Sequence, residues 1–497
     1  MSQLNAPEGS GTTINLSLVS HTNVGKTTLA RTLLGRDIGE VRDAAHVTDL
    51  ATGYVLVQAG EDTLMLWDTP GFGDTARLLG RLRQSGNPIG WFLTQVWDRW
   101  RERPLWSSQQ AVKNVREEAD VILYLVNAAE DPAAAGYVGL EMEVLDWIGK
   151  PVVVLLNQMG PPRENVAGEI ARWSDIGTAG QVRAVLPLDA FARAWVQEGA
   201  LLDAVVPLLP PDKQAAMVGL RLRWEELNRA RFDKSMDVLA CYLAGAAKDR
   251  ETVDEPGWHG KVAEALNSRN KGDRAARKAM QALGVRLAEA TATSTDELIR
   301  LHNLSGKAAK TVLERVGDDY AHNEKTPEGA FAVLGGLASG AVGGLAADIA
   351  AGGLTLGGGM IVGAILGALG ATGVAKGINL AKGDDGASVK WSEDFLEGLA
   401  VTALLRYLAV VHYGRGRGEW SVGEHPAHWQ PVVKAEVATR KAALKGARKA
   451  PADEATARLA VELRDAGMAV LVRLYPSARS VIAENHHRTG SHFDNLP

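Results

Sequence analysis

Cysteine is nearly absent from the 497 residues. Cys241 stands alone, which excludes an intrachain disulfide framework and fits a reducing compartment. Positive charge is not in excess either: a net charge of −5 argues against a general nucleic-acid binder. The first dozen residues lack the basic and apolar regions of a secretory signal, so residues 1–12 are expected to be a disordered lead and the protein cytoplasmic. No small α/β unit with a basic-flanked G-x-x-G is found near the C-terminus, which leaves no strong nucleic-acid signal. What is present is apolar material, 46% of the chain, enough for real cores in roughly two to four structural units.

The chain is organised around Leu18-Val19-Ser20-His21-Thr22-Asn23-Val24-Gly25-Lys26-Thr27-Thr28-Leu29. An apolar strand (Ile14, Leu16, Leu18) runs into a loop and then into a helix opening with Lys-Thr-Thr. That is the setting of a phosphate-binding P-loop. Loop N–H groups of Asn23 to Thr28 and the positive helix end face phosphates, Lys26 reaches the β/γ oxygens, and the Thr27 hydroxyl ligates Mg²⁺. The first glycine of G-x-x-x-x-G-K-[ST] is replaced by Ser20. Downstream, Asp68-Thr69-Pro70-Gly71 follows the alternating strand Thr63 to Trp67. Asp68 at a strand's carboxyl end can hold Mg²⁺ through water, and Gly71 tolerates close approach of a γ-phosphate.

Asn23-Val24-Gly25-Lys26-Thr27 followed by Asp68-Thr69-Pro70-Gly71 resembles the translation-factor-like GTPases, closest to the Era/TrmE branch. The resemblance implies GTP and GDP as ligands. Thr48 in the polar stretch Arg36 to Val47 and beyond is the candidate switch threonine for Mg²⁺ and the γ-phosphate; the alternative is that it begins the next strand. Gly53–Ala59 and Thr63–Trp67 read as a hairpin pair, while Ala119–Asn127 and Pro151–Leu156 are continuous apolar runs of the kind buried in a parallel sheet. The fold class is therefore an α/β P-loop GTPase domain with a mostly parallel, doubly wound sheet, followed by an all-α C-terminal region.

Related GTPases read guanine with Asn-Lys-x-Asp. Here the strand ends Asn157-Gln158-Met159-Gly160, which keeps the Asn and loses the Lys and the Asp. The last strand, Val182–Leu188, runs into Asp189-Ala190, where the resemblance places the final base loop. Asp189 either supplies the missing carboxylate or caps a helix over Phe191–Glu198. Ras-like enzymes orient water with a Gln after Asp-x-x-Gly; Phe72 cannot do so. In the potassium-activated TrmE branch an Asn at the position of Asn23 helps bind K⁺, often in a G-domain homodimer. That implies slow or activated hydrolysis, with Lys26, Thr48 and Asn23 as catalytic candidates; loop hydrogen bonding alone is the other role for Asn23.

Leu78–Arg116 is too long for a simple switch helix. Leu93, Val96, Trp97 and Trp100 share one helical face, which either packs internally or meets an unknown protein partner. The Trp-rich insertion, Tyr124–Pro132 and Leu155–Gln158 together resemble a bacterial GTPase family with a C-terminal domain of unknown function.

The expected domains are a GTPase domain over 13–210 with the insertion at 78–116, a helical domain over 211–327, a glycine-zipper hairpin over 328–382, and C-terminal helices and tail over 383–497. Pro207 to Pro211 is the linker, Asp212–Lys248 is strongly helical, and shorter helices follow to residue 322. Gly336, Gly340 and Gly344, then Gly359, Gly363 and Gly367, repeat at helical spacing. Each glycine costs about 0.8–1 kcal/mol in a solvated helix, so the spacing makes sense where helices approach closely. Arms at Ala330–Ala350 and Leu356–Lys376 are each about 20 residues, a bilayer's thickness. The hairpin therefore either inserts at the inner face of the cytoplasmic membrane or is buried in a soluble helical domain. Trp391–Tyr413 reads as an apolar helix and Val432–Arg448 as a basic one, either a solvated face or a headgroup-binding one.

The leading function is a Mg²⁺-dependent GTP hydrolase switching a helical, membrane-associated C-terminal domain. The rivals are an Era-like RNA or ribosome assembly GTPase and a low-turnover nucleotide-binding scaffold.

Overall fold

The computed structural model describes residues 11–35, 51–73, 75–83, 89–90, 93, 102–159, 166–174, 180–188, 194–252, 271–303, 378–383, 386–412 and 429–476. The chain divides into two compact units, one running to Arg229 and the other taking up from Ala230.

The first unit is built on six strands: β1 (Thr13–Ser20), β2 (Thr52–Ala59), β3 (Asp62–Asp68), β4 (Val121–Asn127), β5 (Val152–Asn157) and β6 (Val182–Pro187). Their order is β2-β3-β1-β4-β5-β6, with β2 antiparallel to β3 and every other pairing parallel. β4 and β5 are buried along nearly their whole length, as parallel strands covered on both faces must be. Leu16 and Leu18 join one core and Val19 the other, so the pleat of β1 alone feeds both faces of the sheet. β1 has β3 on one side and β4 on the other. Crossovers therefore leave it in opposite directions, and the crevice that binds ligands in such sheets opens at its carboxyl end.

The helices are α1 (Lys26–Leu34), α2 (Thr75–Leu82), α3 (Arg103–Glu117), α4 (Gly136–Ile148), α5 (Val166–Ser174), α6 (Trp195–Val205) and α7 (Pro211–Lys248). α6 starts later than the helix expected over Phe191–Glu198. α7 does not simply leave the GTPase domain at residue 210: Met217, Leu220 and Trp224 belong to the core that holds Leu202 and Leu209. Lys213 adds an ion pair with Asp120 at 2.8 Å, and Arg221 one with Asp203 at 2.6 Å. Thr12, expected in the disordered lead, is bonded just before β1 through its N–H to Asp62 Oδ1, at the start of β3, at 2.8 Å. Of the face expected at Leu93, Val96, Trp97 and Trp100, only Leu93 lies within the described residues, and it packs against the core beneath α2 and α3.

In the second unit, the later part of α7 is joined by α8 (Lys271–Leu301), α9 (Glu393–His412), α10 (Trp429–Ala438), α11 (Lys441–Ala447) and α12 (Ala452–Leu474). The region is not all helical. β7 (Arg250–Thr252), β8 (Ile378–Gly383) and β9 (Gly386–Trp391) form an antiparallel sheet in the order β7-β9-β8. Residues 378–382, expected in the glycine hairpin, are therefore strand, and Trp391, expected in a helix, ends β9; Ser392 Oγ accepts from Phe395 N–H at 3.1 Å to start α9. The hairpin arms themselves lie outside the described residues. Among the described residues no helix is long and apolar enough to cross a membrane. The basic stretch Val432–Arg448 breaks at Thr439-Arg440 into two helices. Three of its five cations face carboxylates: Arg440 meets Glu436 at 3.0 Å, Lys441 meets Glu397 at 2.8 Å and Lys445 meets Glu393 at 3.3 Å. That pairing removes much of the charge a headgroup-binding face would need.

Candidate functional site

β1 ends at Ser20, and the chain turns through two left-handed residues, Asn23 (φ 66°) and Gly25 (φ 97°), before α1 begins at Lys26. Asn is among the residues that tolerate this region, and Gly25 is required twice over: a Cβ there would also lie 2.9 Å from Asn157 Nδ2. No side chain caps α1, whose positive end lies at this turn, where an anionic ligand is favoured. Ser20, in place of the usual glycine, is buried and spends its hydroxyl on His21 O at 2.5 Å.

Lys26, Thr27 and Asp68 converge at the start of α1. Thr27 Oγ1 donates to Asp68 Oδ2 at 2.8 Å. Burial pushes the Asp68 carboxyl up, opposed first by Lys26 and then by the Thr27 hydrogen bond. Burial likewise pulls the Lys26 ammonium down, opposed by Asp68 and more weakly by Glu141. Asp68 Oδ1 is buried without a hydrogen-bond partner. An orphaned carboxylate oxygen beside a hydroxyl suits a hard, oxygen-seeking cation, so this donor set fits Mg²⁺. Thr48 lies outside the described residues.

The segment after Asp68 is tied to the loop. Thr69 Oγ1 donates to Leu18 O at 2.6 Å, Phe72 N–H to Ser20 O at 2.9 Å and Thr22 N–H to Phe72 O at 3.3 Å. Gly71 sits against Thr22, where a Cβ would come within 3.0 Å of its Cα. The Phe72 ring is wholly buried in the core with Leu79 and Leu105, so it cannot reach a water at the phosphates. Gly73 N–H donates to Ser108 Oγ of α3 at 3.0 Å, and a Cβ on Gly73 would meet Pro104 at 2.5 Å. The helix ending the Trp-rich insertion thus grips the residue two positions beyond Gly71.

Asn157 is buried, and its Nδ2 donates to Val24 O at 2.7 Å, bracing the loop from β5. Gln158 is left-handed at φ 58°. Val24 and Thr28 are buried at the loop and at the first turn of α1. Asp189 and Ala190 lie outside the described residues, so the structure brings together the phosphate side of the expected site and not its base side. Sequence reasoning missed Glu141, a buried carboxylate bonded to the loop through His21. A signal was available: Glu141 shares the i, i+3, i+4, i+7 stripe of Val138, Met142 and Leu145, the apolar face of α4.

Residues 15–158 match the family model described as "50S ribosome-binding GTPase", and residues 179–473, more than half of the chain, match "Domain of unknown function (DUF3482)". No curated protein matches the chain. Similar solved structures include a variant of Era from Aquifex aeolicus bound to GDP and AlF4−, at 22% identity and TM-score 0.29, over 40% of this chain and 57% of that one. Era in complex with MgGDPNP and a segment of 16S ribosomal RNA is similar at 18% identity and TM-score 0.28, over 56% and 90% of the two chains. NFeoB from S. thermophilus bound to GDP, AlF4− and K⁺ is similar at 14% identity and TM-score 0.24, over 44% and 80%. The chain spans little more than half the length of the first of these. The chain belongs to the DUF3482 family, with a domain that matches a GTPase family model ahead of that family's mostly helical region.

Proposed function

We propose that this protein binds GTP with Mg²⁺, hydrolyses it slowly, and works as a nucleotide switch for its C-terminal region. One observation carries the reading: Thr27 and Asp68 are in hydrogen-bond contact at 2.8 Å, with a buried, unpartnered Asp68 oxygen beside Lys26. Lys26 and the positive N-terminal end of α1 would hold the phosphates, Thr27 and Asp68 the metal, and Gly71 the γ-phosphate. Bound Mg²⁺ would supply charge neutralisation between the β- and γ-oxygens. Thr48 is the residue we propose to complete the metal shell, and Asp189 with Ala190 to meet the guanine edge beside Asn157 and Gln158. Slow turnover follows from Phe72, whose buried ring leaves no water-orienting group at that position. Asn23, left-handed at the turn of the loop, is proposed to recruit K⁺ in a dimer formed across the nucleotide face.

Single-turnover hydrolysis in matched KCl and NaCl tests the reading. A rate that rises in K⁺ supports it, and equal rates sink the K⁺ part. No hydrolysis in either salt leaves a nucleotide-binding scaffold. The description of the family matched over 15–158 favours ribosome association as a second reading; salt-sensitive co-sedimentation with ribosomal subunits tests it. For localisation we propose the cytoplasm, with the two glycine-rich arms, Ala330–Ala350 and Leu356–Lys376, attaching the protein to the inner face of the cytoplasmic membrane. Full release by alkaline carbonate would refute an integral anchor.

A further inference from the structure

Apart from Lys26, Thr27 and Asp68, the first unit buries a second polar cluster that the proposed chemistry does not use. Glu141 projects from α4 and is 0% exposed. Its Oε1 lies 2.7 Å from His21 Nδ1 and 3.1 Å from Thr75 Oγ1, and its Oε2 accepts from the Tyr124 hydroxyl at 2.7 Å. The three partners belong to the phosphate loop, the first residue of α2 and strand β4. A buried carboxylate is costly unless donors surround it, and these three do so from three elements. α4 also holds the imidazole by stacking: Tyr137 lies 4.4 Å from His21, centroid to centroid. The backbone of His21 is bridged to Phe72, so whatever holds His21 also bears on the segment after Gly71.

Thr75 has an alternative. Its hydroxyl lies 2.9 Å from Gly73 O as well as 3.1 Å from Glu141 Oε1, and one proton cannot serve both. The first turn of α2 therefore has two hydrogen-bonded arrangements, one tied to the phosphate loop through Glu141 and one closed on its own segment.

We propose that Glu141 is a positioning residue for hydrolysis, coupling His21 of the phosphate loop to Thr75 so that the segment after Asp68 is held in register with the phosphates. The proposal rests on the GTP-hydrolase reading above. Positioning is sensitive: a displacement of about 1 Å at a reacting centre costs about 100-fold in rate. On binding, the charge of Glu141 has two effects of opposite sign: it repels phosphates, and it weakly supports the buried Lys26 ammonium, so removing it leaves affinity little changed. Turnover and affinity should therefore separate.

The test uses the full chain and three variants. Glu141→Gln keeps shape and removes charge, His21→Ala removes the loop's partner, and His21→Asn places an amide N–H where Nδ1 sits. Single-turnover GTP hydrolysis should slow about 10–100-fold in Glu141→Gln and His21→Ala, with affinity for a fluorescent GDP little changed, and His21→Asn should recover most of the rate. Parallel loss of affinity and rate, an unchanged rate, or a His21→Asn variant as slow as His21→Ala overturns the proposal. Hydrogen exchange over residues 75–82, compared between GDP and a non-hydrolysable GTP analogue, is the second readout. The wild type should show a difference that Glu141→Gln erases; no difference in the wild type, or the same one in the variant, overturns the coupling. A wild type without turnover would refute the enzymatic reading while the exchange comparison still decides this one.

Discussion

Replacing Gly25 with alanine tests whether the phosphate loop and strand β5 form one mechanical piece. Gly25 has a φ of 97°, a region that costs an L residue about 1–2 kcal/mol. The new Cβ would also lie 2.9 Å from Asn157 Nδ2, which donates to Val24 O at 2.7 Å in a buried setting. Displacing that amide loses a buried hydrogen bond, about 1–3 kcal/mol. Together the substitution should cost about 2–5 kcal/mol locally. In an Asn157→Ala background the clash is gone, so Gly25→Ala should cost only the backbone share, about 1–2 kcal/mol. Native-state hydrogen exchange of β1 and α1 amides in the full chain reads these local opening energies, which a single melt of a two-unit chain would blur. Equal costs of Gly25→Ala in both backgrounds would refute the reasoning.

Asp68→Asn should lower the Mg²⁺-dependent part of GTP affinity by about 10–100-fold, read by titrating a fluorescent nucleotide with and without chelator. Phe72→Gln should not speed hydrolysis, because the side chain points into the core; it should instead destabilise the first unit by about 3–5 kcal/mol in the same exchange experiment. A faster single turnover in that variant would refute the buried-ring argument. Burial raises the Glu141 carboxyl above 4.5, more than His21, Tyr124 and Thr75 lower it. The folded state then keeps a proton that the unfolded chain has lost. The associated stability is complete below pH 4.5 and lost as pH rises through the folded value, so Glu141→Gln should flatten that part of a stability–pH profile.

Two kinds of signal were legible in the chain. Strands that run apolar along their whole length, such as β4 and β5, declare burial on both faces without reference to any partner. The loop from Ser20 to Thr27 and the segment from Asp68 to Gly71 declare phosphate and metal chemistry because each is short and its residue types are demanded by local geometry. Errors came where a local pattern was cut by a distant contact. Trp391 reads as the start of an apolar helix, yet its backbone pairs with Ile378 in a sheet that closes over more than a hundred residues with β7. Val432–Arg448 reads as one basic helix, yet it turns at Thr439-Arg440, and two of its cations face Glu393 and Glu397 of α9. The linker at Pro207–Pro211 reads as a domain boundary, yet α7 carries Met217, Leu220 and Trp224 back into the first unit's core.

By itself the sequence determined the doubly wound sheet, the position of its phosphate loop, and the loss of a water-orienting side chain at Phe72, because strand periodicity and loop chemistry are written within a few residues of one another. Only the tertiary structure decided that Phe72 is core, that Asn157 donates to Val24 O and so braces the loop, and that Glu141 joins His21, Tyr124 and Thr75 in one buried cluster. Those partners lie up to 133 residues apart in the chain, and a hydrogen bond between distant residues leaves no periodicity to read in the sequence of either.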